Sequence, residues 1–151
     1  MKKLGKSSKK GFTLVELIVV LVILAVLAAM LVPALTGYIN KAREEKEFQA
    51  ASTVYTAAQA LATEEYGKNG YTQNDDKDID ASKITLADIK TLTSLGDKVS
   101  NVYVKVSGAN ITDIAVQFDG GTKVYTYTAG SNTWGAADAS TFATEDYTAI
   151  S

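Results

Sequence analysis

From Leu17 to Gly37 the chain runs 21 residues without a charge. A helix needs ~20 apolar residues to cross ~30 Å of hydrocarbon, so the run has the length of one membrane span. It constrains the fold strongly, because a helix that is apolar all round must be buried on every side, in lipid or in protein. Leu14, Val15 and the unbroken apolar stretch Leu17–Leu24 surround such a helix completely. Pro33 is the only strong helix breaker before Gly37; it lacks a backbone donor and clashes with the preceding turn, so a kink is expected there. Glu16 does not fit the pattern. An unpaired Glu in lipid costs on the order of a few kcal/mol, so this carboxylate needs a partner or a task.

Charge is divided unevenly around the run. Lys2, Lys3, Lys6, Lys9 and Lys10 precede Gly11, five of the fifteen basic residues in the chain. They read as a cytoplasmic flank under the positive-inside rule. The remainder is acidic, about −7, which argues against a nucleic-acid binder. The chain has neither Cys nor His, so it lacks thiol chemistry, the commonest general base and the commonest transition-metal ligand. No catalytic residue, cofactor or metal ligand is assigned, and no enzyme is expected.

Three readings fit an apolar run near an N-terminus. A secretory signal peptide explains the lysines, and Val26-Leu27-Ala28 could serve as a small-x-small cleavage site, but its apolar region should span only ~7–15 residues. A plain membrane anchor explains the length and the flanking charge but gives Glu16 no role. The third reading uses every feature. Lys10-Gly11-Phe12-Thr13-Leu14-Val15-Glu16 resembles the processing site of type IV prepilins and the related pseudopilins. The resemblance implies cleavage between Gly11 and Phe12 by a membrane-embedded prepilin peptidase, and N-methylation of Phe12. Gly11, without a Cβ, lets a peptidase approach the scissile backbone closely. Glu16 lies one helical turn beyond Phe12, and the resemblance implies that it pairs with the Phe12 amine of a neighbouring subunit. An intrahelical or headgroup partner for Glu16 is the alternative. Pro33 also stands where pilins usually place a proline, although many relatives carry an earlier glycine and none occurs between Phe12 and Thr36 here. Family members in Gram-negative bacteria often close the C-terminal region with a disulfide; a chain without Cys departs from that and hints at a Gram-positive host.

The expected organisation is a cleaved leader over 1–11, a transmembrane and assembly helix over 12–37, and a globular head over 38–151. The fold class is α+β: a long N-terminal helix, apolar then amphipathic, packed on a small three-stranded antiparallel sheet. Ala51, Val54, Tyr55, Ala58, Leu61 and Ala62 form an i, i+3, i+4 stripe on the amphipathic half, 38–66. From Phe12 to Tyr66 the helix would extend ~80 Å. A loop covers 67–84. Thr85-Leu86-Ala87-Asp88 resembles a capping signal for a short helix over 85–95, burying Leu86, Ile89, Leu92 and Leu95. Alternation at Val102/Val104/Val106, Ile114/Val116/Phe118 and Tyr125/Tyr127 predicts three strands within about 99–128. The tail, 129–151, reads as irregular, with Trp134 and Phe142 as anchors. Asp76, Asp78 and Asp80 are spaced like the start of a calcium loop, but Ala81 and Ala87 stand where an EF-hand needs Gly and Glu.

The function expected from the resemblance is a structural pilus subunit, held in the cytoplasmic membrane before assembly and displayed as an extracellular filament afterwards. Its expected partners are identical subunits, prepilin peptidase, the assembly machinery and the membrane. Adhesion, motility and biofilm roles would come from the family. Two alternatives stay open: a pseudopilin of a secretion or DNA-uptake apparatus, and a membrane-anchored extracellular binding module.

Overall fold

The computed structural model describes residues 11–70 and 78–151, so the leader up to Lys10 and Tyr71–Lys77 lie outside the described residues. The chain divides into two compact units, one ending at Arg43 and the other covering Glu44–Ser151. Helix α1, Leu14–Lys68, runs through both, with Pro33 inside it and no interruption in the helical assignment.

In the first unit α1 is long and apolar enough to cross a membrane, and its side chains are exposed on all sides within the chain. Burial for this segment must therefore come from lipid or from other chains.

The second unit builds its core from the other half of α1 and a five-stranded antiparallel sheet. The strands are β1 (Val99–Ser107), β2 (Asn110–Phe118), β3 (Lys123–Thr128), β4 (Thr133–Asp138) and β5 (Thr148–Ile150), in the spatial order β4-β3-β2-β1-β5. Ala51, Val54, Ala58 and Ala62 are fully buried against Val102, Val104, Ile114, Val116 and Tyr125. Three alanines in the helix stripe let α1 lie close to the sheet, and helix on sheet is the usual two-layer solution. The expected α+β architecture is thus present. Ile114, fully buried at the centre of this layer, is expected to cost about 2–5 kcal/mol of head stability when cut to Ala. Chemical denaturation of the full chain in detergent, followed by Trp134 fluorescence, measures this.

Two polar contacts fix α1 against β3: Lys123 Nζ meets Glu44 Oε1 at 2.7 Å, and the Tyr125 hydroxyl donates to Glu47 Oε2 at 3.0 Å. Further along, the Gln59 amide clamps the β1–β2 turn. Its Nε2 donates to Ala109 O (3.0 Å) and its Oε1 accepts from Ile111 N (2.8 Å). Gly108 supplies the positive φ (+59°) of that turn, and its N–H donates to Asp78 Oδ1 at 2.7 Å. Asp78 is therefore a turn-holding acceptor. Among the described residues no group of acids is placed to hold a metal ion, and Asp76 lies outside them.

Thr85 caps α2 (Leu86–Thr93) as its spacing predicts: its Oγ1 accepts from Asp88 N at 3.1 Å and donates to Asp88 Oδ2 at 2.7 Å. The helix ends two residues earlier than expected, with Ser94 in the left-handed region, and a 3-10 turn at Gly96–Lys98 leads into β1. Ile89 is buried, but Leu92 is 58% exposed rather than part of the core. A helix of two turns has room for only one fully inward position, and Ile89 fills it.

The expected three strands are five, and the tail is not irregular. Trp134 lies in β4 and packs edge-on to Phe48 (5.5 Å between centroids), with Tyr127 at 5.0 Å and Tyr55 at 6.4 Å. Burial pushes the Tyr55 phenol above its ordinary value. Because β4 and β5 sit on opposite edges, the connection between them crosses the sheet. It passes over the face away from α1, where Phe142 lies 6.3 Å from Tyr103, and Lys105 reaches Asp146 (3.7 Å) and the Tyr147 ring (4.6 Å). Both expected anchors hold the tail, on opposite faces. Alternation could not announce these strands, because Gly135, Ala136 and Ala137 carry little β-propensity and β5 has only three residues.

Candidate processing and assembly site

The start of α1 is built from Gly11, Phe12, Thr13 and Glu16. Gly11 and Phe12 precede the helix in open chain; a Cβ placed on Gly11 would meet no atom within 4 Å, and Phe12 is 85% exposed. An exposed, non-helical junction is what a peptidase needs in order to draw the backbone into an extended cleavage geometry. Helix begins immediately behind it, so the chain offers one short accessible stretch between the leader and the span.

Thr13 and Glu16 form a reciprocal cap. Glu16 Oε2 accepts from Thr13 N at 2.8 Å and from the Thr13 hydroxyl at 2.9 Å, while Thr13 Oγ1 accepts from Glu16 N at 3.3 Å. This is a capping box, in which the N-cap and the third helical residue satisfy each other's otherwise orphaned donors. Thr13 thus joins the site. Its signal is present in the sequence, since Thr13-x-x-Glu16 repeats the Thr85-x-x-Asp88 pattern; the acid that looks out of place in a membrane segment is also the second half of a helix cap.

The cap gives Glu16 the intrahelical partner that was the alternative to an intersubunit one, yet it does not exhaust the carboxylate. Both strong bonds fall on Oε2, and among the described residues Oε1 has no partner. Capping fixes the carboxylate at the end of the helix and leaves one oxygen for a further donor. The acid also sits at the positive end of the α1 dipole, the stabilising end for a negative charge. Pro33 is not part of this constellation. It lies 17 residues beyond Glu16 in the same helix, roughly 25 Å away along the axis.

Residues 6–32 match the family described as the prokaryotic N-terminal methylation motif. The match covers the end of the leader, the Gly11–Phe12 junction, the capped carboxylate and most of the apolar run. No solved structure matches the chain. That family is structural rather than enzymatic in character, and its members are anchored in the membrane before they assemble. Ahead of its α+β head, on a single N-terminal helix apolar and long enough to cross a membrane, this chain carries the methylation motif characteristic of type IV pilins and pseudopilins.

Proposed function

We propose that the chain is a structural subunit of a type IV pilus. Prepilin peptidase cuts between Gly11 and Phe12, the new Phe12 amine is methylated, and the mature helix leaves the membrane for the centre of a filament. The observation that supports this reading is the half-committed Glu16, whose Oε2 closes the helix cap while Oε1 has no partner among the described residues. A secondary amine on a neighbouring subunit's Phe12 keeps its positive charge, so it both neutralises the carboxylate and fixes the axial register between two helices. Stacking of this kind is heterologous and does not close on itself, so it grows an open filament. Pro33 marks the place where α1 can loosen as it passes from lipid to protein surroundings.

Mass spectrometry of chain recovered from the cell surface is expected to show methyl-Phe12 as the first residue. A chain beginning at Met1, or after Ala28, rejects the reading. Long filaments of this chain on electron microscopy support a pilus; a short periplasmic or wall-spanning structure supports the pseudopilin alternative.

A further inference from the structure

Helix α1 stops at Lys68, and an exposed Asn69-Gly70 turn follows it. The Asn69 side chain is tied down. Its Nδ2 donates to Glu65 O at 3.0 Å and to Glu65 Oε1 at 2.8 Å, and Asn69 N donates to the same carbonyl at 3.2 Å. Gly70 N donates to Gly67 O at 3.3 Å, with Gly70 at a positive φ of +65°. These bonds satisfy carbonyls that a helix end leaves without partners.

The same bonds hold apart two atoms that can react. A backbone nitrogen that follows an asparagine can attack the side-chain carbonyl carbon of that asparagine. A side chain on the attacking residue crowds its own nitrogen, and glycine has none. A Cβ built on Gly70 would meet no atom within 4 Å, so no neighbouring group shields it either. In the second unit the other described asparagines, Asn101, Asn110 and Asn132, precede Val102, Ile111 and Thr133. Those three residues are β-branched and lie in strands, so their nitrogens are crowded and held.

Attack at Asn69 needs the last turn of α1 to open. In the closed turn the Gly70 N–H points back to Gly67 O, and the Asn69 amide is drawn toward Glu65. Helix ends open at little cost, so the restraint on the side chain decides the rate. Its strongest element is the charge-assisted bond to Glu65 Oε1.

We propose that Asn69-Gly70 is a site of spontaneous deamidation gated by Glu65. When the clamp opens, the Gly70 nitrogen gives its proton to solvent base and bonds to Asn69 Cγ. The Cγ–Nδ2 bond breaks, Nδ2 leaves as ammonia, and a succinimide ring closes. Water then opens the ring at either carbonyl and leaves Asp or an isoaspartyl link at position 69. Water is consumed, ammonia is released, and nothing is oxidised or reduced. The product puts a carboxylate where Nδ2 donated. It faces Glu65 as a like charge at i, i+4 spacing, at the negative end of the α1 dipole. The clamp cannot re-form, so the change runs one way and the last turn stays open. Ala62 is fully buried and Tyr66 packs on the core, so unwinding ends there and the head stays folded. The helix end thereby records elapsed time without an enzyme, whatever the chain assembles into.

The test keeps the full chain in detergent micelles at physiological temperature and pH, in water enriched in heavy oxygen. Peptide mass spectrometry follows position 69. The native chain is expected to lose ammonia there slowly, take up heavy oxygen and give both Asp and isoaspartyl products. Asn101, Asn110 and Asn132 should remain amides. Glu65→Ala should speed the reaction about tenfold, the effect of losing a hydrogen bond to a charged group. Glu65→Gln keeps an acceptor and should fall between, with Trp134 fluorescence showing that each variant is folded. An Asn69 that stays an amide in the Glu65→Ala chain overturns the proposal. Equal rates in the native and Glu65→Ala chains overturn it too, because the clamp is then no gate. A product that is Asp alone excludes the ring and also overturns it.

Discussion

Glu16→Gln is expected to be cleaved and inserted normally and to give filaments at least a hundredfold fewer than the native chain. Gln still serves at the third helical position of a capping box, so the helix start survives the change. What disappears is the negative charge that the neighbouring amine would meet. A loss of about 3 kcal/mol at each subunit contact corresponds to roughly a hundredfold in the association constant. The converse change is Thr13→Ala, which removes the cap, at about 1 kcal/mol of helix stability, and keeps the charge. Filaments should persist in that variant. Filament counts on electron micrographs, normalised to the amount of cleaved chain, separate the two. Normal filaments from the Glu16→Gln chain would sink the pairing idea, and equal losses in both variants would show that helix capping alone matters.

Gly11→Val should leave the chain at full length in the cell membrane, with none in surface filaments. The physical reason goes beyond the peptidase. Under the positive-inside rule an unprocessed chain would keep Lys2, Lys3, Lys6, Lys9 and Lys10 on the cytoplasmic side. Each costs about 2.5–3.5 kcal/mol at the centre of a bilayer, so five together oppose extraction by on the order of ten kcal/mol. In the proposed reading the leader would first orient the span and then lock it in place, and cleavage would remove the lock. Mass spectrometry of membrane and filament fractions checks this. Surface filaments containing the uncut leader would show that the lysines are no barrier.

Sequence periodicity located what depends on strong side-chain contrast. The stripe through Ala51, Val54, Ala58 and Ala62 became the helix wall of the core, and Val102, Val104, Ile114 and Val116 became its sheet wall. The N-terminal methylation motif was legible because a basic residue, Gly, Phe and an acid fall at fixed spacing before an apolar run. What escaped has little contrast. Thr133–Asp138 reads as turn-like composition, and its strand exists because Trp134 is held among Phe48, Tyr55 and Tyr127 from elsewhere in the chain. Thr148–Ile150 is too short for any period and pairs with β1 through a partner more than forty residues away. Leu92 failed for the opposite reason: the pattern was helical, but α2 is too short to bury all of it. The Glu16 cap lay in plain view and needed only the local rule already applied at Thr85.

The segment that crosses the back of the sheet to form β5 also sets an order of events. Ile150 is buried and fills the edge of β1 that remains open until it arrives. The apolar half of α1 emerges from the ribosome before the closing strand β5. In the proposed pilus reading the head would not reach its final form until β5 had been translocated, so the subunit would be threaded across the membrane while still unfolded. Anchoring would then precede folding by the time needed to synthesise most of the head, and during that interval the nascent β1 edge would be exposed to any strand-binding chaperone on the far side.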